Sequence, residues 1–226
     1  MTIRDNLKNE IIISSQAMVG EPFYDEKCML AMMLSAINGG AKALRVAGAR
    51  DVRNAKKLGT IVIGLTKPEK LPENWESIVY ITPGVKEVQE LIDADADIIA
   101  LDGTKRPRPD GSTLKELIDL IHSANKLVMA DISTYDEGIN AENLGADIIS
   151  TTLAGYTDES MPAKDTPDFE LLERLVKNLK SPVFLEGRVW YPEEVKKAFE
   201  LGAWSVVIGS AVTRPHLIVK RFIEGV

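Results

Sequence analysis

The sequence predicts a single (β/α)₈ barrel, the TIM-barrel architecture, spanning residues 1–226, and three observations carry that prediction. Four similar segments recur with a period of roughly fifty residues, about twice a β-α unit. Each reads as a helix end, a tight turn and an entering apolar strand. Four more apolar runs lie between them, which brings the strand count to eight. None shows the apolar/polar alternation of a half-exposed antiparallel sheet, so both faces of every strand are expected to be covered. A doubly wound open sheet is the alternative, but eight strands in 226 residues favour closure.

Along the chain, strand one is the run at residues 11–13. Strand two enters through Gly40-Ala41-Lys42-Ala43-Leu44-Arg45, and strand three is the run at 61–65. Strand four enters through Ala94-Asp95-Ala96-Asp97-Ile98-Ile99, strand five occupies 127–130, and strand six enters through Gly145-Ala146-Asp147-Ile148-Ile149-Ser150. Strand seven is 183–185, and strand eight enters through Gly202-Ala203-Trp204-Ser205-Val206-Val207. Three of the four repeated segments begin with glycine, where the end of a helix wants a residue tolerant of left-handed backbone. Amphipathic helices fill the gaps, among them 114–122, 169–179 and 192–201. Pro167-Asp168 and Tyr191-Pro192-Glu193-Glu194 place proline and acids at the starts of the last two. One apolar piece, 78–81, is surplus to the eightfold count. It precedes Thr82-Pro83-Gly84, where Thr82 is expected to cap a helix, and it reads as an extension of the third loop.

Composition narrows the function classes. Apolar residues make up 45% and charged residues 27%, the mixture of a globular chain with a large core. A net charge of -7 argues against a nucleic-acid partner, which needs clustered Lys and Arg to neutralise phosphates. The one cysteine, Cys28, permits no internal disulfide. Arg4, Asp5, Lys8 and Glu10 precede any apolar run, leaving no room for a signal-peptide core or a membrane span; a cytoplasmic chain without a membrane partner is expected.

Active sites of such barrels lie at the carboxyl ends of the strands, so the polar residues there are the candidates. They are Ser14, Ser15 and Gln16 after strand one, Arg45 in strand two, Thr66 and Lys67 after strand three and Asp102 ending strand four. Asp131 and Ser133 follow strand five, Thr151 and Thr152 strand six, Glu186-Gly187-Arg188 strand seven and Gly209-Ser210 strand eight. The last two sets are small-residue turns whose N–H groups suit an anion, and a phosphate site is expected at the ends of strands seven and eight. Thr213-Arg214-Pro215 is expected to open a short helix there, with Arg214 adding charge. The two histidines, His122 and His216, fall on helical stretches far apart, so no metal is expected. Dinucleotide, Walker and serine-nucleophile motifs are lacking, which favours cofactor-free chemistry. A lysine, two aspartates and a glutamate remain, a set suited to proton transfer beside a carbonyl. Taken alone, Lys67, followed by Pro68, Glu69 and Lys70, reads rather as a solvated loop cation, and Glu186 equally as a catalytic group or an internal ion-pair partner.

Several stretches resemble the bacterial N-acetylmannosamine-6-phosphate 2-epimerase family over nearly the whole chain. They include Ser15-Gln16-Ala17, Gly39-Gly40-Ala41-Lys42-Ala43-Leu44-Arg45, Tyr80-Ile81-Thr82-Pro83, Asp102-Gly103-Thr104-Lys105-Arg106-Pro107, Met129-Ala130-Asp131-Ile132-Ser133, Thr151-Thr152-Leu153-Ala154-Gly155-Tyr156 and Gly209-Ser210-Ala211-Val212-Thr213-Arg214. The resemblance implies inversion of C2 of a small-molecule sugar phosphate, N-acetylmannosamine 6-phosphate, in sialic-acid breakdown. It implies Lys67 and Glu186 as the catalytic pair, Gln16, Arg45 and Asp131 as sugar-positioning residues, and Gly187, Gly209, Ser210 and Arg214 as the phosphate grip. It implies no cofactor, and members of the family often form homodimers. Two departures stand out: Lys67 is followed by Pro68-Glu69-Lys70 where the family has Arg-Asp-Tyr, and Ser15 replaces a cysteine. The other readings are a lyase or isomerase of another sugar phosphate, and a non-catalytic sugar-phosphate-binding barrel.

Overall fold

A computed structural model describes residues 2–161 and 165–225. Strands and helices alternate: β1 (Glu10–Ser15), α1 (Glu26–Asn38), β2 (Ala43–Ala47), α2 (Ala49–Lys57), β3 (Ile61–Leu65), α3 (Val85–Asp93), β4 (Ile98–Asp102), α4 (Leu114–Ser123), β5 (Leu127–Asp131), α5 (Tyr135–Asn143), β6 (Ile148–Ser150), α6 (Phe169–Asn178), β7 (Val183–Glu186), α7 (Pro192–Glu200), β8 (Ser205–Ile208), α8 (Ser210–Thr213) and α9 (Pro215–Glu224). Every neighbouring pair of strands is parallel, and β8 closes on β1 with Glu10 opposite Ser205 and Ile13 opposite Ile208. The predicted barrel is the observed one.

Closure explains the unbroken apolar runs. Alternate residues of each strand point into the barrel or out at the helices. Ile12, Ile63, Ile98, Met129, Ile148 and Phe184 fill the interior. Their neighbours Ile13, Val62, Ile99, Val128, Ile149 and Leu185 pack against the helices. Both sets leave water, so neither can be polar. Leu7 plugs the amino-terminal end, where Ser205 Oγ donates to its carbonyl and Trp204 Nε1 donates to Arg4 O at 3.0 Å.

The fourfold repeat has a physical basis. Gly40, Gly145 and Gly202 take φ of +102°, +105° and +93°, and Asp95 adopts φ +64° at the corresponding helix-to-strand turn. In two of the four repeats an aspartate two residues further on then ties adjacent strands together. Asp97 accepts from Val62 N at 2.9 Å and Asp147 from Val128 N at 2.8 Å, while their own N–H groups donate to the carbonyls of those same residues.

The surplus apolar piece is where the structure departs from the sequence reading. Thr82 caps no helix: its hydroxyl donates to Ala100 O at 2.7 Å and accepts from Thr66 N at 3.0 Å, stitching the tops of β3 and β4 together. Ile81 joins the interior cluster, so the segment acts as a plug between two strands that share only Ile63/Ile98 and Gly64/Ile99 as paired positions. The amino terminus of α3 is capped from elsewhere, by Asp110 Oδ2 accepting from Val85 N at 2.9 Å. A Cβ at Gly84 would run into that carboxylate, so any other residue there would push Asp110 off the cap.

Candidate active site

A cavity of about 460 Å³ opens at the carboxyl ends of the strands. Gln16, Lys67, Glu186, Gly187, Gly209, Ser210 and Arg214 all line it, so seven of the nine residues singled out in the sequence converge there. Arg45 and Asp131 do not. They lie beneath the floor, fully buried, with Arg45 Nη1 and Nη2 on the two Asp131 oxygens at 3.0 and 2.6 Å.

That pair supports Glu186. Arg45 Nη1 also reaches Glu186 Oε2 at 3.1 Å, and Thr152 Oγ1 lies 2.7 Å from Asp131 Oδ1 and 3.1 Å from the same Glu186 oxygen. Burial raises the Glu186 pKa, with the Asp131 charge adding to it, while Arg45, Lys67 and the Thr152 hydroxyl oppose. Lys67 is driven the other way, to about 8, chiefly by removal from water, with repulsion from Arg45 and Arg214 adding and Glu186 and Asp131 opposing. Its residue stays exposed at the mouth of the cleft, so water there moderates the desolvation. Neighbouring acid and base are thereby drawn toward a common proton affinity.

The opposite end of the cleft suits an anion. Among the described residues, the N–H groups of Gly187, Gly209 and Ser210 have no partner. Two helices start there: the short α8 opens at Ser210 with Gly209 at its cap, and α9 opens at Thr213-Arg214-Pro215 as the sequence suggested, with Arg214 as its cap and Pro215 in its first turn. Thr213 is also a buried strut, its hydroxyl donating to Ser14 O at 2.8 Å, and Arg214 occupies the joint between α8 and α9. Arg214 Nη2 lies 3.5 Å from Glu21 Oε2, which holds it at the rim.

Other strand-end polar groups turn out to organise loops. Asp102 is held by Thr104 N at 2.9 Å, Thr104 Oγ1 at 2.6 Å and the Arg106 guanidinium. Arg188 donates to Ala154 O at 2.8 Å and lies 5.3 Å from the Tyr156 ring centroid, fastening the loop after β6. His122 sits on α4 beside Asp147, and His216 on α9 near Glu21. Asp102 and Asp131 thus have their oxygens occupied by protein donors, and neither is disposed as a metal ligand.

Tyr80, Tyr156 and Thr152 also line the cavity; of these the sequence offered only Thr152, as a strand-end candidate without an assigned role. Burial pushes the Tyr80 phenol up to about 12, so it stays a hydrogen-bond donor. Thr152 follows β6 directly, and its place at a strand end was the available signal. Tyr80 and Tyr156 come from loops, where spacing says nothing of direction. No helix among the described residues is long and apolar enough to cross a membrane.

With this geometry in hand, comparison with known proteins is informative. A family model described as "Putative N-acetylmannosamine-6-phosphate epimerase" matches residues 29–226. A Clostridium perfringens relative named "Putative N-acetylmannosamine-6-phosphate 2-epimerase" is 48% identical over 222 residues, covering 97% of this chain and 98% of its own. One of the same name from Clostridioides difficile is 46% identical, over 98% of each chain. The solved structure of the N-acetylmannosamine-6-phosphate 2-epimerase from Clostridium perfringens superposes with a TM-score of 0.94 at 46% identity, covering 100% of this chain and 97% of that one. A 3-hexulose-6-phosphate synthase, at 16% identity and a TM-score of 0.61, shares the fold alone.

Proposed function

The chain belongs to the N-acetylmannosamine-6-phosphate epimerase family, and from that premise we propose how its own residues carry the reaction. It is an isomerase that interconverts N-acetylmannosamine 6-phosphate and N-acetylglucosamine 6-phosphate by inverting C2, a step of amino-sugar catabolism. The open-chain aldehyde at C1 makes the C2 proton acidic. One member of the Lys67/Glu186 pair takes that proton as the C–H electrons move onto the C1 oxygen. The other returns a proton to the opposite face of the enolate. The opposed pKa shifts of these two groups in one cavity carry this reading, since acid/base catalysis is most efficient when both groups titrate near the working pH.

The remaining residues divide by position. Gly187, Gly209, Ser210 and Arg214 hold the phosphate at the far end, where N–H groups without a partner among the described residues meet a guanidinium. Gln16 holds the sugar from the wall. Arg45 and Asp131 act from below, fixing the carboxyl of Glu186 and balancing its charge. Two copies of the chain are proposed to assemble, because α9 leaves Val219, Phe222 and Ile223 at 56%, 76% and 68% exposure.

Incubating the purified protein with N-acetylmannosamine 6-phosphate in deuterated water and following it by NMR tests the reaction. The C2 epimer should appear carrying deuterium at C2. A folded protein that forms no epimer would overturn the reaction, and an unlabelled epimer would overturn the proton-transfer route.

A further inference from the structure

A carboxylate stands behind the phosphate end of the cleft. Glu21 is not among the residues lining the cavity, yet its Oε2 lies 3.5 Å from Arg214 Nη2 and its Oε1 3.8 Å from His216 Nε2. Of the Glu21/Arg214 pair, Glu21 is the fastened member. Its Oε2 accepts from Met18 N at 3.0 Å, and the turn it closes is fixed by Glu21 N donating to Met18 O and Tyr24 N donating to Glu21 O, each at 3.0 Å. The guanidinium of Arg214, by contrast, is in loose ionic contact only. It can turn to a phosphate without giving up a well-made bond, while the carboxylate cannot retreat. Arg188, the other guanidinium at this end, is committed to Ala154 O at 2.8 Å and Thr166 O at 3.0 Å.

We propose that Glu21 is a positioning residue that aims Arg214 in the empty site and weakens the grip once the phosphate is bound. The inference rests on the phosphate grip proposed above. A phosphate monoester carries about -1.5 to -2 charge at neutral pH, so a fixed carboxylate one guanidinium away repels it. Aiming a partly exposed arginine through a loose ion pair contributes little in return. Repulsion is therefore the larger of the two effects of Glu21. Its use follows from the chemistry: inversion at C2 leaves the phosphate untouched, so the grip is the same for substrate, enolate and product. Such uniform binding adds nothing to the chemical step, and when too tight it delays departure of the epimer.

Calorimetric titration of inorganic phosphate into the wild type and Glu21→Gln tests the proposal. The glutamine keeps the acceptor for Met18 N and removes the charge. It should bind phosphate about three- to tenfold more tightly, the scale of one charge acting on another across a partly hydrated rim. KM for N-acetylmannosamine 6-phosphate should fall with it, and kcat should not rise. The gain should vanish near 1 M salt, where the screening length is about 3 Å; a merely structural change in the loop would not follow salt in this way. Glu21→Asp keeps the charge and should bind phosphate as the wild type does. Glu21→Ala removes the same charge and serves if Glu21→Gln does not fold. Unchanged or weaker phosphate binding by a folded variant lacking the charge overturns the role of Glu21 alone. A wild type that binds no inorganic phosphate overturns the phosphate grip and this proposal together.

Discussion

Thr152 has one hydroxyl proton and two carboxylates within reach, Asp131 Oδ1 at 2.7 Å and Glu186 Oε2 at 3.1 Å. It can donate to only one at a time, so its orientation is tied to the charge on Glu186. The hydroxyl holds the raised Glu186 pKa down, and Thr152→Val should therefore raise it further. The wild-type profile of kcat/KM against pH should be a bell, because the working pair carries one proton between Lys67 and Glu186. Activity rises with pH through the elevated Glu186 value and falls through about 8, where Lys67 loses its proton. In Thr152→Val the acid limb should move to higher pH, with a rate loss of about tenfold from one lost hydrogen bond, and Thr152→Ser should restore both. A rate loss without movement of that limb would make Thr152 merely structural. Lys67→Ala should abolish turnover and C2 exchange while leaving substrate binding largely intact, and Glu186→Gln should cost about 10²–10⁴ in rate. Near-normal turnover by folded Lys67→Ala would discard the mechanism. At this scale the sequence revealed which groups stand at strand ends and not which way they face. Arg45 and Lys67 are both cations near the tops of adjacent strands, yet Arg45 lies inside the barrel, locked to Asp131, and Lys67 reaches the mouth.

Strand tops and strand bottoms use polar residues for different ends, and this separates function from folding at the level of the element. Asp97 enters β4 from below, accepting from Val62 N at 2.9 Å and from Lys56 Nζ at 2.6 Å. Asp97→Ala should destabilise the fold by about 1.5–3 kcal/mol, the scale of a hydrogen bond to a charged group, with kcat unchanged; denaturant unfolding and steady-state kinetics on one sample would check both. Arg214, at the joint of α8 and α9, belongs to the opposite end. Arg214→Ala should weaken calorimetric binding of N-acetylmannosamine 6-phosphate roughly ten- to a hundredfold, and unchanged affinity would remove it from the phosphate grip. The elements themselves were readable because closure demands apolar residues on both faces of each strand. The boundaries that escaped were set by contacts distant in sequence. Thr82 bonds across to Ala100, and α3 takes its cap from Asp110, so local capping chemistry at Thr82-Pro83-Gly84 pointed to the wrong role. By contrast the helix start at Thr213-Arg214-Pro215 was legible from local chemistry, and only the short α8 before it, ending at Thr213 with its bond to Ser14 O, escaped.

A closed barrel brings eight strand ends to one rim, so residues as distant in sequence as Gln16 and Arg214 share one cavity without any specialised domain. The cost falls on the outside, where the last helix is only partly held. Arg221 Nη2 on α9 donates to Tyr191 OH at 2.7 Å, and its guanidinium lies 4.7 Å from the Trp190 ring centroid. This fastens one side of the helix to the loop after β7. Val219, Phe222 and Ile223, spaced three and four residues apart, share another side and stand largely in water. An apolar stripe of this kind is stable when a partner covers it, and a two-fold pair would bury both copies at once. Sedimentation equilibrium should therefore give twice the mass of one chain at micromolar concentration. Phe222→Asp should shift the distribution toward single chains while leaving the circular dichroism of the barrel unchanged, since Phe222 contributes nothing to the core. A wild-type protein that sediments as a single chain throughout would sink the assembly, and so would a Phe222→Asp variant that dimerises as tightly as the wild type.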